Sequence, residues 1–353
     1  MKLVIKEKKA CRYDLVSLGE VMLRFDPGND RIRTASSFRV WEGGGEYNVA
    51  RGLKSCFGQE TAIVTALVDN EIGKLVLHRI RAGGVDSSFI KWVADDGIGA
   101  LARNGLYFWE SGFGVRGAAG SSDRSHTAVS QLVPGDIDWD RLFGELGVRW
   151  FHTGGIFAGL SAGTPGVIEE AIRTAKKYGT IVSYDLNFRS SLWKGRGGKK
   201  EADRLNSRLL NQVDVLFGVE NLDRQPQGLE TPLFRDAILR MIECHPGIKA
   251  VASTMRHVRS ATVNDWSGLL WAEGKFHEGM KLENLAILDR VGGGDGFAAG
   301  LIYGFLESLP LASVIQYAVV HGALTMTTPG DNSMAGLDEV EQFIENQNHG
   351  ISR

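Results

Sequence analysis

The sequence predicts an α/β fold, in which a doubly wound, mainly parallel β-sheet is covered by helices on both faces and a smaller β-sheet forms a lid. Three observations support this prediction. From residue 133 onward, short apolar runs alternate with helical patterns, as they do in parallel sheets. Two glycine-rich turns each open a helix. Earlier strand-like segments are polar on one side and rich in aromatic residues, which is typical of an antiparallel sheet with one exposed face.

Strand and helix patterns fill the first third of the chain. Thr61–Val68 is a continuous apolar run, which is typical of a fully buried parallel strand. Further strands are predicted at 14–19, 20–26, 38–41, 88–93, 101–108 and 125–131, and helices at 49–57 and 69–81.

The second part of the chain alternates more regularly. The predicted strands are 148–153, 181–185, 213–218 and 250–254, with hairpin strands within 255–280. The predicted helices are 165–177, 200–211, 231–243, 311–328 and 338–347, together with a buried helix that follows the glycines at 292–294.

A chain of 353 residues is long enough for one large domain with a small accessory piece. The pattern predicts an α/β domain made of residues 1–19, 43–86 and 133–353. The lid is expected from residues 20–42 and 87–132. We expect hinges near Glu42–Gly43 and Gly83–Gly84.

Composition excludes several classes of partner and site. The net charge of −2 gives no reason to expect nucleic acid or an anionic membrane as a partner. Cys11, Cys56 and Cys244 are far apart and odd in number, which favours reduced, buried thiols over a disulfide framework. The eight histidines form no zinc-binding pattern. The absence of a long apolar run or a signal-peptide pattern leads us to expect a cytoplasmic protein without a membrane span.

One motif is a chance match. Residues 112–117 form a literal G-x-G-x-x-G, but a dinucleotide site needs this string to open a helix after a strand. The polar, small residues that follow predict a loop in a hairpin instead. No G-x-x-x-x-G-K-[S/T] string occurs, so any phosphoryl transfer would not use a P-loop.

The most informative stretch is 289–304. Gly292, Gly293 and Gly294 form a turn that feeds directly into a helix, and Asp295 lies at its mouth. Unpaired N–H groups at a helix start bind anions, phosphate above all. Asp295 would repel a phosphate unless it accepts a proton from an attacking hydroxyl, so we expect it to be a general base. The alternative is an ordinary acidic residue at a helix start.

A second glycine turn opens the helix predicted at 49–57. Gly43 to Gly45 allow close approach of a ligand, and Glu46 and Asn48 bring polar groups to the helix start. The alternative is a capped helix, because Asn is a good cap.

These strings resemble signatures of the ribokinase-like (PfkB) carbohydrate kinases. Residues 289–300 are similar to D-T-x-G-A-G-D-x-F-x-x-G, with Arg290 and Gly293 as departures. The first junction resembles G-G-x-x-x-N-x-A, and 185–193 resembles D-x-N-x-R-x-x-x-W. Glu46 stands where many members have Pro and is typical of the 2-keto-3-deoxygluconate kinase branch. The resemblance covers residues 14 to 338 and implies a ribokinase-like fold.

The resemblance also implies roles for individual residues. The catalytic residues would be Asp295 with Gly292, Gly293 and Gly294. The substrate-binding residues would be Gly44, Gly45, Glu46, Asn48, Tyr107, Arg124, Asp185, Asn187, Arg189 and Asp331. The nucleotide-binding residues would be Ser253, Thr254, Arg256 and Gly294. A surface position for Arg189, a half-buried strand position for Tyr107 and a plain turn position for Asp331 remain as alternatives.

The implied activity is ATP- and Mg²⁺-dependent phosphorylation of a small sugar acid, 2-keto-3-deoxygluconate above others, by a homodimer or higher homo-oligomer. Two alternatives stay open: a kinase of a neutral sugar of the fructose or ribose type, and a catalytically weak sugar-binding protein. The second is motivated by 218–223, where Val219 and Leu222 replace the Asn and Glu that organise Mg²⁺ and phosphate in the family. Glu220, Asn221 or Asp223 could substitute, so the metal ligands are left unassigned.

Overall fold

A ten-stranded sheet organises the part of the chain that the computed structural model describes, residues 2–220 and 222–349. A separate four-stranded sheet lies beside it. The strands are β1 (Tyr13–Leu18), β2 (Met22–Asp26), β3 (Arg39–Gly43), β4 (Thr61–Val68), β5 (Asp86–Val93), β6 (Leu106–Glu110), β7 (Ala119–Asp123), β8 (Val148–Gly154), β9 (Ile181–Asp185), β10 (Val215–Phe217), β11 (Ala250–Val258), β12 (Val263–Ala272), β13 (Lys275–Glu278) and β14 (Leu282–Ala286).

Helices cover both faces of the large sheet. They are α1 (Gly45–Ser55), α2 (Glu71–Ala82), α3 (Gly155–Ala158), α4 (Thr164–Lys177), α5 (Ser190–Trp193), α6 (Gly198–Leu210), α7 (Thr231–Cys244), α8 (Gly293–Leu306), α9 (Leu311–Thr325) and α10 (Leu337–His349). Successive strand residues serve opposite faces: Leu15 and Trp150 join the core under α1, α8 and α9, whereas Val16 and Phe151 join the core under α4, α6 and α7. The predicted fold class is confirmed.

The strand order places a crevice at the centre of the large sheet. It runs β13-β12-β11-β10-β9-β8-β1-β4-β5, with parallel pairing from β11 to β5 and antiparallel pairing at the β12–β14 edge. Leu15 of β1 pairs with Thr61 of β4 on one side and Trp150 of β8 on the other. The order in which the chain adds strands to the sheet therefore reverses between β1 and β8, and ligands bind beyond the carboxyl ends of the strands at such a point.

The small sheet has the order β3-β2-β6-β7 and is mixed, because β2 and β6 pair in parallel. The expectation of a purely antiparallel lid is therefore wrong. The strand predicted at 88–93 exists as β5, but it pairs with β4 in the large sheet. β5 is an edge strand, and edge strands are partly exposed: Trp92 of β5 is 40% exposed. Its alternation of polar and apolar residues therefore resembles that of a lid strand.

Two further expectations about the lid region are wrong. Residues 125–131 contain a short 3₁₀ helix, Ala128–Gln131, whose Ala128 and Val129 are buried in the large domain. A short apolar run of this kind does not distinguish strand from helix. Gly83–Gly84 connects α2 to β5 within the large domain, so it cannot be the second hinge. Residues 112–117 form the β6–β7 hairpin connection, as predicted.

The cysteines differ from expectation in their exposure. Cys56 is buried, Cys11 is half-buried and Cys244 is exposed, all as free thiols, so the prediction of buried thiols holds only for Cys56. Cys244 is the last residue of α7, where the apolar face has ended. Within residues 2–220 and 222–349, no helix has the length and apolar character needed to span a membrane.

Candidate active site

The glycines at 292–294 build an open helix start. Gly292 has φ +82° and caps α8, and a Cβ there would lie 1.9 Å from the backbone oxygen of Asp331, so only glycine fits. A Cβ on Gly294 would meet no atom within 4 Å. The first N–H groups of α8 have no partner within the helix and lie at its positive end. This turn therefore presents backbone donors to open space, as an anion site requires.

The other glycine junction lies directly against this turn. Helix α1 begins at Gly45, and a Cβ on Gly44 would lie 1.9 Å from the backbone oxygen of Glu20. Asn48 lies inside α1, so it does not cap the helix from outside, as the alternative assumed. Its Oδ1 accepts the Gly44 N–H at 3.2 Å, and its Nδ2 donates to Asp295 Oδ2 at 2.7 Å. Asn48 thus joins the two junctions that the sequence separates by 247 positions.

Three carboxyl groups, those of Asp295, Glu46 and Asp185, share the site, and burial raises the pKa of each. Burial raises the pKa of Asp295 well above its usual value, with further increases from Asp185, Asp331 and Glu46, while the Asn48 hydrogen bond opposes the shift. Burial and the Asp185 charge raise the pKa of Glu46 to about 7. Burial also raises the pKa of Asp185 to about 6, against the Asn187 N–H and the Arg189 charge. Asp295 is therefore a stronger base than a surface aspartate.

Arg124 and Arg189 approach this acidic group from different elements. The guanidinium of Arg124 donates to Glu20, and its charge also acts on Glu46. Arg189 is exposed, immediately before α5, and its charge acts on Asp185. The fold thus brings both arginines to the same cluster of acids, each near a different carboxylate.

Several polar atoms in this region are buried and have no hydrogen-bond partner among the residues that the structure describes. They are Glu20 Oε1, Glu46 Oε2 and Arg124 Nε. Buried polar groups are normally paired, and unpaired ones mark a place for water or a polar ligand. A ligand with several hydroxyl or carboxylate groups would satisfy both the acceptors and the donor.

The side chains of Tyr107 and Asp331 form hydrogen bonds within the protein. The Tyr107 hydroxyl donates to Asp331 Oδ2, and Arg24 donates to Asp331 Oδ1 at 2.7 Å. Arg24 also donates to Asp289. No role was predicted from the sequence for Arg24 or Glu20, because a charged residue in a weakly alternating segment gives no local sign of its partner. Asp289 belongs to the predicted 289–304 stretch, but its pairing with Arg24 was not predicted.

The proposed nucleotide residues lie on β11. Ser253 is buried and donates to the backbone oxygen of Thr254 at 3.3 Å. Burial lowers the pKa of Arg256, and the positive charge of Arg290 lowers it further. Arg290 precedes the 292–294 turn by two residues and packs on the ring of Trp109, with its Cζ 5.3 Å from the ring centroid. Arg290 therefore adjoins the anion-binding turn, and its charge also acts on Arg256.

Two carboxylates of the 218–223 segment are engaged with neighbouring helices. Glu220 accepts from Asn206 Nδ2 of α6 at 2.9 Å, and Asp223 lies 3.3 Å from Arg240 of α7. Asn221, the third residue considered from the sequence, lies outside the described residues. In the described part of the chain, no three His, Cys, Asp or Glu side chains are grouped to hold a metal ion.

Comparisons with known proteins agree with this geometry. Residues 267–336 match the pfkB family of carbohydrate kinases. The crystal structure of 2-dehydro-3-deoxygluconokinase from Thermotoga maritima is 33% identical, covers 94% of this chain and 98% of its own, and superposes with a TM-score of 0.85. The chain belongs to the PfkB family of carbohydrate kinases. It is a phosphotransferase that acts on a sugar hydroxyl, and the predicted family and enzyme class are confirmed.

Two curated PfkB relatives match over nearly their whole length. The 2-dehydro-3-deoxygalactonokinase of Haloferax volcanii is 27% identical, over 96% of this chain and 99% of its own. The 5-dehydro-2-deoxygluconokinase of Clostridium perfringens (strain ATCC 13124) is 23% identical, over 95% and 94% respectively. The roles assigned to individual residues stay predictions.

Proposed function

We propose that this PfkB protein transfers the γ-phosphate of ATP to a hydroxyl of a small sugar acid, with 2-keto-3-deoxygluconate as the substrate and its 6-phosphate as the product. The observation that carries the proposal is the Asn48–Asp295 hydrogen bond. This bond joins the start of α1, which is expected to bind the sugar, to the start of α8, which is expected to bind the phosphate. It does so at Asp295, the residue expected to accept the proton.

The proposed reaction follows from this geometry. The N–H groups at the start of α8 hold the transferring phosphoryl group, with Arg256 and Arg290 adding positive charge. Asp295 accepts the proton of the sugar hydroxyl. The oxygen of that hydroxyl forms a bond to the γ-phosphorus, and the bond between this phosphorus and the oxygen of the leaving ADP breaks. Asn48 orients the Asp295 carboxylate. Mg²⁺ would neutralise nucleotide phosphates, and we assign no side chain to it.

An acid substrate is favoured by the relatives and by Arg124. The three similar kinases described above are all named for deoxy-keto sugar acids. Burying a substrate carboxylate is costly unless a cation meets it, and the fork of an arginine suits it. Arg124 Nε is buried and unpartnered, so it can still donate to a ligand. Arg189 would be the second cation.

Each alternative has one observation in its favour. Arg124 is already paired with Glu20, so its charge is partly neutralised, as a kinase of neutral sugars would permit. Glu220 and Asp223 are bonded to helices α6 and α7, as a weakly catalytic sugar-binding protein would permit. The expected homo-oligomer and cytoplasmic location stay predictions.

The substrate class can be tested by ADP release across a panel of keto acid and neutral sugars. Arg124→Ala should lower kcat/KM for the keto acid by about ten- to a hundredfold, because a charged hydrogen bond is lost, and affect fructose much less. Arg31→Ala is the matched control, because Arg31 also pairs with a buried glutamate, Glu110 of β6, away from Arg124. Faster phosphorylation of fructose by the wild type would favour the neutral-sugar kinase. Equal loss on both substrates would remove Arg124 from carboxylate recognition. No turnover on any sugar would favour the binding protein.

A further inference from the structure

Arg24 is a fully buried cation that contacts carboxylates from three parts of the chain. From β2, its Nη1 donates to Asp331 Oδ1 at 2.7 Å, and its Nη2 donates to Asp289 Oδ2 and to Asp26 Oδ2, the latter at 3.1 Å. Burial lowers the pKa of Arg24, but the charges of Asp331 and Asp289 raise it more, so the group stays protonated. A buried charge is tolerated only when it is paired in this way.

Two of these carboxylates belong to the segments that shape the anion-binding turn. Asp289 Oδ1 accepts the N–H of Val291 at 3.1 Å, and Val291 is the residue immediately before Gly292. The backbone oxygen of Asp331 packs directly on Gly292, at the position that a Cβ would need. Arg24 therefore holds the turn in two ways: through Asp289, which lies just before the turn in the chain, and through Asp331, whose backbone packs on Gly292.

The small sheet supplies the other donors to the same two acids. Tyr107 donates to Asp331, and the Ser111 hydroxyl donates to Asp289 Oδ2 at 3.1 Å. Without the guanidinium, Asp26, Asp289 and Asp331 would be close carboxylates with no cation among these contacts. When the cation of a buried ionic group is removed, the remaining carboxylates must move apart or bind a proton.

We propose that Arg24 is a positioning residue for the phosphate-binding turn. It is too buried to touch substrate, but it fixes Asp289 and Asp331 so that Gly292–Gly294 present their N–H groups in one arrangement. The catalytic consequence rests on the proposed function, whereas the ordering of the turn follows from the contacts alone.

The ordering of the turn is tested by amide hydrogen exchange in the ligand-free protein. In Arg24→Met, exchange in 288–296 should be at least about tenfold faster than in the wild type, while α4 keeps its protection. Arg24→Lys should restore part of the protection. Arg149→Met is the matched control, because Arg149 is also buried and bonds to Asp14 Oδ1 at 2.8 Å at the opposite end of the sheet. Arg149→Met should lower Tm without selectively increasing amide exchange in residues 288–296.

A milder variant covers the case in which Arg24→Met does not fold. Ser111→Ala removes one neutral donor to Asp289 and should give a smaller increase in exchange, confined to the same segment. If neither Ser111→Ala nor Arg24→Lys changes exchange there, the proposal is overturned.

Ligand binding separates this proposal from the proposed function. Arg24→Met should lower kcat and the affinity for ATP by about tenfold or more, and leave the affinity for adenosine, which has no phosphate, unchanged. If the wild type is an active kinase and Arg24→Met matches Arg149→Met in both exchange and ATP affinity, the positioning role is overturned. If the wild type phosphorylates nothing but the selective exchange difference appears, the proposed function fails and the positioning role stands.

Discussion

Asp295 is the residue on which the proposed chemistry depends, and it lies among other acids. Its pKa in the folded protein is raised by burial and by Asp185, Asp331 and Glu46, whereas in the unfolded chain it is that of a free aspartate. Between the pKa of Asp295 in the unfolded chain and its higher pKa in the folded protein, the unfolded state has lost this proton and the folded state still holds it. The free energy of unfolding therefore falls as the pH rises through this range.

Asp295→Asn should therefore stabilise the protein at pH 8. We expect Tm to rise by about 2–4 °C, and the gain to become much smaller near pH 3.5, where the carboxyl is mostly protonated in both states. Thermal unfolding at both pH values measures this, with Asp236→Asn, an exposed position on α7, as the control. An unchanged or lower Tm at pH 8 would show that the Asp295 carboxylate is not destabilised by its surroundings.

At the residue scale, the sequence predicts what is local and misses what is long-range. Gly292, Asp295 and Asn48 stand out because glycine turns and helix starts have recognisable neighbours. Arg24 could not be found this way, because its partners Asp289 and Asp331 lie 265 and 307 positions away. The Arg124–Glu20 pair, across 104 positions, was missed for the same reason.

At the element scale, the start of α8 depends on a single glycine. Gly292→Ala forces a side chain into a left-handed backbone position and against the Asp331 backbone oxygen. It should cost about 1–3 kcal/mol of unfolding free energy in urea. Gly294→Ala should change stability by no more than about 0.5 kcal/mol, because a Cβ there meets no atom within 4 Å. Equal losses in the two variants would contradict this account of the turn.

The elements themselves were largely predictable, and the errors have physical causes. β4 and β9 have the predicted bounds. The β4 segment was recognisable because a continuous apolar run is typical of a buried parallel strand. The sheet to which β5 belongs was predicted wrongly, because a half-exposed pattern is shared by edge strands and lid strands. Helix α1 begins at Gly45, four residues earlier than predicted, since Gly45 and Asn48 have low intrinsic helix propensity.

At the scale of the whole molecule, the small sheet spans the entrance to the site. Its β6–β7 hairpin touches the β11–β12 turn, where the Ala261 N–H donates to the Gly114 oxygen at 3.2 Å. We expect the small sheet to move as a lid about the β3–α1 junction and to exclude water during transfer.

Small-angle scattering tests this motion. The radius of gyration should fall when both the keto acid and a non-hydrolysable ATP analogue are present, compared with the free protein. The analogue alone, without sugar, is the control for nucleotide-induced changes. Identical scattering curves with and without saturating ligands would count against closure.

The central claim is that Asp295 accepts the proton in a phosphoryl transfer at the junction of α1 and α8. The most direct measurement is the single-turnover rate of Asp295→Asn with ATP and the keto acid, together with the affinity of the variant for the sugar. We predict a rate at least about 10²-fold below the wild type, with sugar affinity largely retained and Asp236→Asn unaffected. A rate within a few-fold of the wild type would contradict the claim and remove Asp295 from the mechanism.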